Sequence, residues 1–176
     1  HTLSVMRQTR RYRQQQAEKL WLDIDDQPAA RDVRVGVMGL GVLGQDAAIK
    51  LSLIGFDVAG WSRTNKSISG IRTYSGHNEL DEFLARTDIL VVLLPLTAET
   101  KGIINRNLLK KLARNGRVVA PSLINAGRGG LQKEADLLAC LDDGTVNELV
   151  LDVFETEPLP SSSPLWSHPR VTITPH

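Results

Sequence analysis

From Val33 onward, short runs of apolar residues alternate with stretches in which apolar positions recur every three or four residues. A short unbroken run fits a strand buried on both faces, and the wider spacing fits an amphipathic helix. The pattern therefore reads as repeated strand-helix-strand units, the sequence form of a parallel sheet covered on both sides. Strands are predicted over Val33–Met38, Asp57–Trp61, Ile71–Tyr74, Ile89–Leu94, Arg117–Ala120 (or as far as Leu123), Leu149–Val153 and Val171–Thr174. A helix is predicted over Val42–Ile54, with Leu43, Ala47, Leu51 and Ile54 on its apolar stripe and Gly55 as its stop. Another is predicted over Gln132–Asp142, where Ala135, Leu138 and Leu141 share a face. Ahead of these, Thr2–Trp21 is rich in Arg and Gln and free of Gly and Pro, and reads as a leading helix. An acidic connector, Asp23–Ala30, follows it.

Length and composition narrow the picture. At 176 residues with 41% hydrophobic content, the chain is about one domain with one ordinary core. The expected fold class is α/β, a doubly wound parallel sheet of Rossmann type, with residues 33–176 as its core. With 21 basic against 20 acidic residues, the formal charge of +1 gives no field suited to nucleic acid or an acidic membrane. Arg7, Arg10, Arg11 and Arg13 form the local exception. They read first as a solvated helix face, then as a subunit contact, and last as a nucleic-acid site, because no aromatic platform accompanies them. The single cysteine, Cys140, suits a reducing cytoplasm. The apolar run Ile89–Leu94 is far shorter than the ~20 residues of a membrane span, and no signal peptide pattern is visible. The first residue is His1 rather than Met, so that last inference covers this chain alone. No cluster of side chains has metal-ligand spacing, and no metal is expected.

The chemistry begins at Gly39-Leu40-Gly41-Val42-Leu43-Gly44, directly after the first strand and at the mouth of the first core helix. Gly39 suits a tight turn, Gly41 lets a pyrophosphate approach the backbone, and Gly44 allows close helix-strand packing. The free N–H groups at the helix start, near Val42 and Leu43, are a phosphate site. Flexible turns and other nucleotide-binding loops also use such glycines, so the flanking strand and helix carry the assignment to a dinucleotide. At the end of the second strand, where an acid would select NAD through the ribose 2′-hydroxyl, the chain reads Trp61-Ser62-Arg63-Thr64. No acid is present. A guanidinium can hold a 2′-phosphate, with Ser62 and Thr64 adding hydroxyl donors, so NADP is expected and NAD is the second choice. The plain alternative is an exposed loop arginine.

Further segments end strands on the same edge: Leu94-Pro95-Leu96-Thr97, Asn125-Ala126-Gly127-Arg128-Gly129-Gly130, Asp152-Val153-Phe154-Glu155-Thr156-Glu157-Pro158, and Thr174-Pro175-His176. With the glycine loop, these resemble the NAD(P)-binding domain of the D-isomer-specific 2-hydroxyacid dehydrogenases, most of all the glyoxylate/hydroxypyruvate reductase branch. The resemblance implies that Arg128 binds the carboxylate and carbonyl of a 2-oxo acid. It implies that Glu157 holds a catalytic histidine and keeps it protonated, and that His176 is that histidine, the proton donor in reduction. It places Asp152 near the nicotinamide carboxamide, and Leu94, Pro95, Leu96, Thr97, Ala126 and Gly127 along the cofactor. Read singly, Arg128 could cap a loop, Glu155 and Glu157 could be solvated acids, and His176 a frayed terminal residue. His1, His77 and His168 read as structural or surface residues.

The implied function is NADPH-dependent reduction of a small 2-oxo acid to the D-2-hydroxy acid. The implied assembly is a homodimer, with Val5, Tyr12, Leu20 and Trp21 of the leading segment as contact surface. The competing class is a non-catalytic, dinucleotide-sensing module of corepressor type. Two departures from the family pattern stand out. Gly116–Asn125 is longer than usual and carries Pro121, so a bulge or inserted loop is expected before Arg128. In addition, the family assembles its substrate domain from chain on both sides of the cofactor domain, and neither flank is present. This chain is therefore expected to be the cofactor-binding half, binding without turnover, with its His176 frayed.

Overall fold

The computed structural model describes residues 1–176. Seven parallel strands form one sheet in the order β3-β2-β1-β4-β5-β6-β7. They are β1 (Arg34–Met38), β2 (Asp57–Ser62), β3 (Arg72–Ser75), β4 (Ile89–Val92), β5 (Ser122–Asn125), β6 (Leu149–Leu151) and β7 (Val171–Ile173). The helices are α1 (Thr2–Met6), α2 (Thr9–Ala17), α3 (Val42–Ile54), α4 (Leu80–Ala85), α5 (Arg106–Leu109) and α6 (Glu134–Asp142). The alternation along each strand divides the apolar residues into two layers. Val35, Val37, Val58, Val91, Ile124 and Val150 form one with Val5, Met6 and Ala48. Met38, Ala59, Trp61, Leu90, Val92, Leu123, Leu149 and Leu151 form the other with Phe83 and Leu84 of α4, Leu108 and Leu109 of α5, and Leu137, Cys140 and Leu141 of α6. The sheet is thus covered on both faces, as a doubly wound fold requires.

The predicted bounds of α3 match the structure, and its apolar stripe does so in part: Leu51 packs against the valine-rich layer and Ala47 is half-buried. Gly44 and Ala48 are the buried residues, whereas Leu43 and Ile54 are 64% and 49% exposed. The cause is close approach: a Cβ on Gly44 would lie 1.7 Å from the Gly39 carbonyl oxygen. Only the narrow side of the helix fits against β1, which turns the larger apolar side chains outward. In α6 the buried side is likewise rotated, to Leu137, Cys140 and Leu141, with Ala135 exposed.

The leading segment is not one helix. It breaks into α1 and α2 at Gln8, which takes a left-handed conformation with φ of 52°. Val5 and Met6 are drawn into the valine-rich layer, while α2 stays mostly in solvent, and a straight helix could not follow both paths. Val5 is therefore unavailable as contact surface. Tyr12 accepts a hydrogen bond from Gln27 at 3.1 Å, which leaves Leu20 and Trp21 exposed, the latter at 98%.

The strand predicted over Arg117–Ala120 is absent, and that segment lies outside the sheet as bends. Proline has no N–H for a central ladder, so β5 begins just after Pro121, whose carbonyl accepts from the Asn147 N–H at 2.7 Å. The extra residues are absorbed before the strand. The β4–β5 register, Val92 beside Asn125, is intact up to the Arg128 loop.

At the amino ends of the strands, Asp88 is fully buried. Arg34 surrounds it, donating from its backbone N–H at 2.9 Å, from Nε at 3.0 Å and from Nη2 at 2.8 Å. Removing one partner of a buried pair strands the other charge without its counter-ion. Arg34→Met is expected to lower unfolding free energy by about 3 kcal/mol, read from denaturant titration. Cofactor affinity of the folded fraction should be unchanged, since this edge is opposite the site.

Candidate functional site

The chain runs outward from β1 through β2 to β3, then returns to the other side of β1 as β4. The two halves diverge between β1 and β4, which opens a crevice above the carboxyl ends of those strands. Every sequence-predicted site segment lies along this edge. Gly39 turns out of β1 with φ of +112°, a value open to glycine but strained for other residues. Its N–H donates to the Trp61 carbonyl at 2.8 Å. Gly41 is the N-cap of α3, and no side chain caps the helix. A Cβ at Gly41 would meet nothing within 4 Å, so that face opens on free space. Uncapped N–H groups, the positive end of a 13-residue helix and an open glycine face suit a pyrophosphate. Val42 and Leu43 present their backbone here, and Gly44 lies buried beneath the loop as a spacer.

A cleft of about 410 Å³ runs from this loop across the ends of β2 and β4. It brings together Gly39, Gly41, Trp61, Ser62, Arg63, Thr64, Leu94, Pro95 and Thr97. Leu96, Ala126, Gly127 and Asp152 lie outside it, nearer β5 and β6. Sequence reasoning missed Lys66, His77, Glu99 and Thr100, which line the same cleft. His77, read as a surface residue, arrives there through the β3 loop, and only the fold could reveal that. The spacing Thr97-x-x-Thr100 could have pointed to Thr100: it closes a side-chain turn in which the Thr100 N–H donates to Thr97 Oγ1 at 3.3 Å.

The Arg63 guanidinium reaches Glu99 at 3.1 Å, with both side chains mostly exposed. Such a pair is weak and gives way to a better anion. The Ser62 hydroxyl donates to the Thr64 carbonyl at 2.7 Å. That bond shapes the turn that presents Arg63. A larger concavity, about 550 Å³ around Tyr12 and Trp21, lies on the leading segment and touches none of the strand ends.

Beyond the cleft, β5 ends in the Arg128 loop and β6 in the loop carrying Glu157. Arg128 is exposed, and its guanidinium donates back to the Gly127 carbonyl at 2.7 Å. Glu157 uses both oxygens: Oε1 accepts from the Phe154 N–H at 2.9 Å, and Oε2 lies 3.0 Å from His176 Nδ1. The expectation of a frayed His176 is thereby corrected, because the carboxylate engages its ring. His176, and after it the Phe154 N–H, hold the Glu157 carboxyl below the ordinary glutamate range, with Arg128 pushing weakly the same way. Asp152 accepts from the Thr174 hydroxyl, which ties β6 to the residues leading to His176. His168 is structural, accepting the Arg170 N–H at 3.1 Å.

A glycine loop, an arginine where an acid would be, and an Arg-Glu-His set at successive strand ends have a counterpart among known families. The model of the D-isomer specific 2-hydroxyacid dehydrogenase NAD binding domain matches residues 1–176. The chain belongs to this family. It is 45% identical over 177 aligned positions to glyoxylate/hydroxypyruvate reductase A of Yersinia enterocolitica, covering 98% of this chain and 54% of that protein. A crystal structure of NADPH-dependent glyoxylate/hydroxypyruvate reductase from Sinorhizobium meliloti, in complex with NADP and sulfate, superposes with a TM-score of 0.96. Its identity is 54%, over 99% of this chain and 55% of that one. A probable 2-hydroxyacid dehydrogenase from Rhizobium etli, bound to NADP, HEPES and tartaric acid, is 50% identical with a TM-score of 0.96. The chain spans about half the length of these relatives.

The depressed Glu157 carboxyl makes a signed prediction. Its ion-paired form adds stability above the ordinary glutamate range, and that contribution is lost as pH falls through its lowered folded value. Carboxyl-detected NMR titration should find Glu157 below ordinary glutamate, and His176→Ala should move it upward. A midpoint unmoved by that substitution would remove the pair from the site.

Proposed function

We propose that this chain is the cofactor half of an NADPH-dependent reductase that converts a small 2-oxo acid, of glyoxylate or hydroxypyruvate type, to the D-2-hydroxy acid. The observation that carries the reading is the Glu157–His176 contact at 3.0 Å, beside Arg128 and on the same strand-end edge as the dinucleotide cleft. When bound, the reduced nicotinamide supplies a hydride. The chain's own residues do the rest. Arg128 leaves the Gly127 carbonyl to grip the substrate carboxylate and orient its carbonyl. With Glu157 accepting from Nδ1–H, the Nε2 of His176 is the nitrogen that hands a proton to the carbonyl oxygen. Asp152 would lie toward the carboxamide end of a bound cofactor. Arg63, Thr64 and Lys66, which line the cleft, would hold the 2′-phosphate, and the lack of an acid at the end of β2 removes the usual NAD contact.

A cytoplasmic setting goes with the single buried, unpaired Cys140, and no helix is long and apolar enough to cross a membrane. We further propose a homodimer, for which Leu3, Leu20, Trp21 and Leu22 offer an exposed apolar surface on the leading segment.

The full-length protein should oxidise NADPH with glyoxylate and hydroxypyruvate and lose that turnover on Arg128→Ala. Binding without turnover across a panel of 2-oxo acids would instead favour a dinucleotide-sensing module. Calorimetric titration should show NADPH bound more tightly than NADH, and Arg63→Ala should cut the preference roughly ten- to hundredfold, the worth of one charge-assisted contact. Equal affinities in the unaltered protein would sink the cofactor assignment. For assembly, light scattering should give a dimer mass that falls toward the monomer for Trp21→Glu; a monomer at every concentration would contradict the dimer.

A further inference from the structure

Gln132 has no part in the roles assigned so far, yet the residue is only 2% exposed and its amide sits beside Asn125, which is fully buried. Asn125 ends β5. Its Nδ2 donates to Gln132 Oε1 at 2.8 Å and to the Arg128 carbonyl at 3.3 Å, and its Oδ1 accepts from the Gly127 N–H at 3.1 Å. Gln132 Nε2 donates in turn to the Val153 carbonyl at 3.1 Å. That carbonyl belongs to the same peptide unit as the Phe154 N–H, which donates to Glu157 Oε1 at 2.9 Å. A peptide unit is planar, so fixing its C=O fixes the direction of its N–H. The three bonds from Asn125 through Gln132 and the Val153–Phe154 peptide unit to Glu157 donate in one sense, and each polarises the next. Buried amides left without partners would be costly, which makes this arrangement specific.

A second contact locks the same two loops. A Cβ on Gly129, next to Arg128, would lie 1.7 Å from the Phe154 carbonyl oxygen, so the arginine loop rests directly on the segment that leads to Glu157.

We infer that Gln132 is a positioning residue for the Glu157–His176 pair, tying it to the Arg128 loop so that the carboxylate-binding and proton-donating groups keep a fixed separation. The inference rests on the roles proposed above for those three residues. The charged groups facing Glu157 are His176 and, from the β5 loop, Arg128; Gln132 reaches it only through the peptide.

The test uses the full-length protein with Gln132→Met, which keeps length and bulk but removes both amide bonds, and Gln132→Glu, which keeps the acceptor toward Asn125 and loses the donor toward Val153. Both should lower kcat for NADPH-dependent glyoxylate reduction roughly ten- to hundredfold, the usual consequence of misplacing a reacting group. NADPH affinity, read by fluorescence titration, should be unchanged. The Glu157 carboxyl midpoint, read by NMR, should rise as the Phe154 N–H swings away. If kcat and the Glu157 midpoint match the unaltered protein while only the melting temperature falls, Gln132 is a structural amide and the inference is overturned. Should Gln132→Met not fold, Gln132→Glu carries the same comparison. Arg128→Ala and His176→Ala, run alongside, separate the two levels. If they abolish turnover while the Gln132 variants match the unaltered protein, only this inference fails; if they leave turnover intact, the functional reading fails and takes the inference with it.

Discussion

The closeness of α3 to β1 is the constraint from which the rest of the site descends. Gly44 lies where any side chain would collide with the Gly39 carbonyl, so the helix can lie flat against the strand with its first turn directly above the strand's end. That proximity aims the uncapped N–H groups of α3 into the crevice between β1 and β4. It also dictates which helix face is buried. Small residues go inward, and Val42, Leu43, Ile49, Leu53 and Ile54 go outward. A large apolar residue at position 44 would hold the helix off the strand and carry its first-turn N–H groups away from the crevice, so the closeness that aims those groups excludes the side chains that would bury most surface.

The same closeness explains part of what could be read in the sequence and what could not. The strand runs were legible because a central parallel strand must be apolar on both faces, and Ile89–Val92 is buried at every position. The glycine loop was legible for a related reason, since its residues are set by backbone geometry rather than by distant partners. The stripe of α3 was read only in part, because periodicity reports which residues are apolar, not how near the neighbouring strand lies. The leading segment was misread because helix propensity says nothing of where Val5 and Met6 are drawn, and burial in the valine-rich layer breaks the helix at Gln8. His77 and Glu99 escaped notice because each reaches the cleft through a connection whose path only the assembled sheet defines.

Pro121 shows how a feature that looked disruptive becomes harmless. A proline inside β5 would have removed a ladder donor between β4 and β6 and shifted the Arg128 loop. Standing one residue ahead of the strand, it has no ladder donor to lose. The irregular residues before it lie at the amino end of the sheet, far from the site. Register is then controlled from Ser122 onward by pairing with Ile89 on one side and, from Leu123, with Leu149 on the other. Extra chain in a parallel sheet is tolerated at that end because the ligand edge is the opposite one.

Parallel strands deliver loops to one edge but do not fix the distances between them. β5 and β6 end side by side, with Asn125 paired to Leu151, yet their loops run on for several residues before Arg128 and Glu157. Over that length a strand's rigidity is spent, and a loop exposed to water would sample positions wider than a proton transfer tolerates. A second set of bonds, independent of the sheet, has to restore the precision. In this chain those bonds are made by the buried amides of Asn125, at the end of β5, and Gln132, and by one glycine pressed against a carbonyl of the neighbouring loop. The sheet therefore decides which residues can meet, and the polar contacts between loops decide how closely.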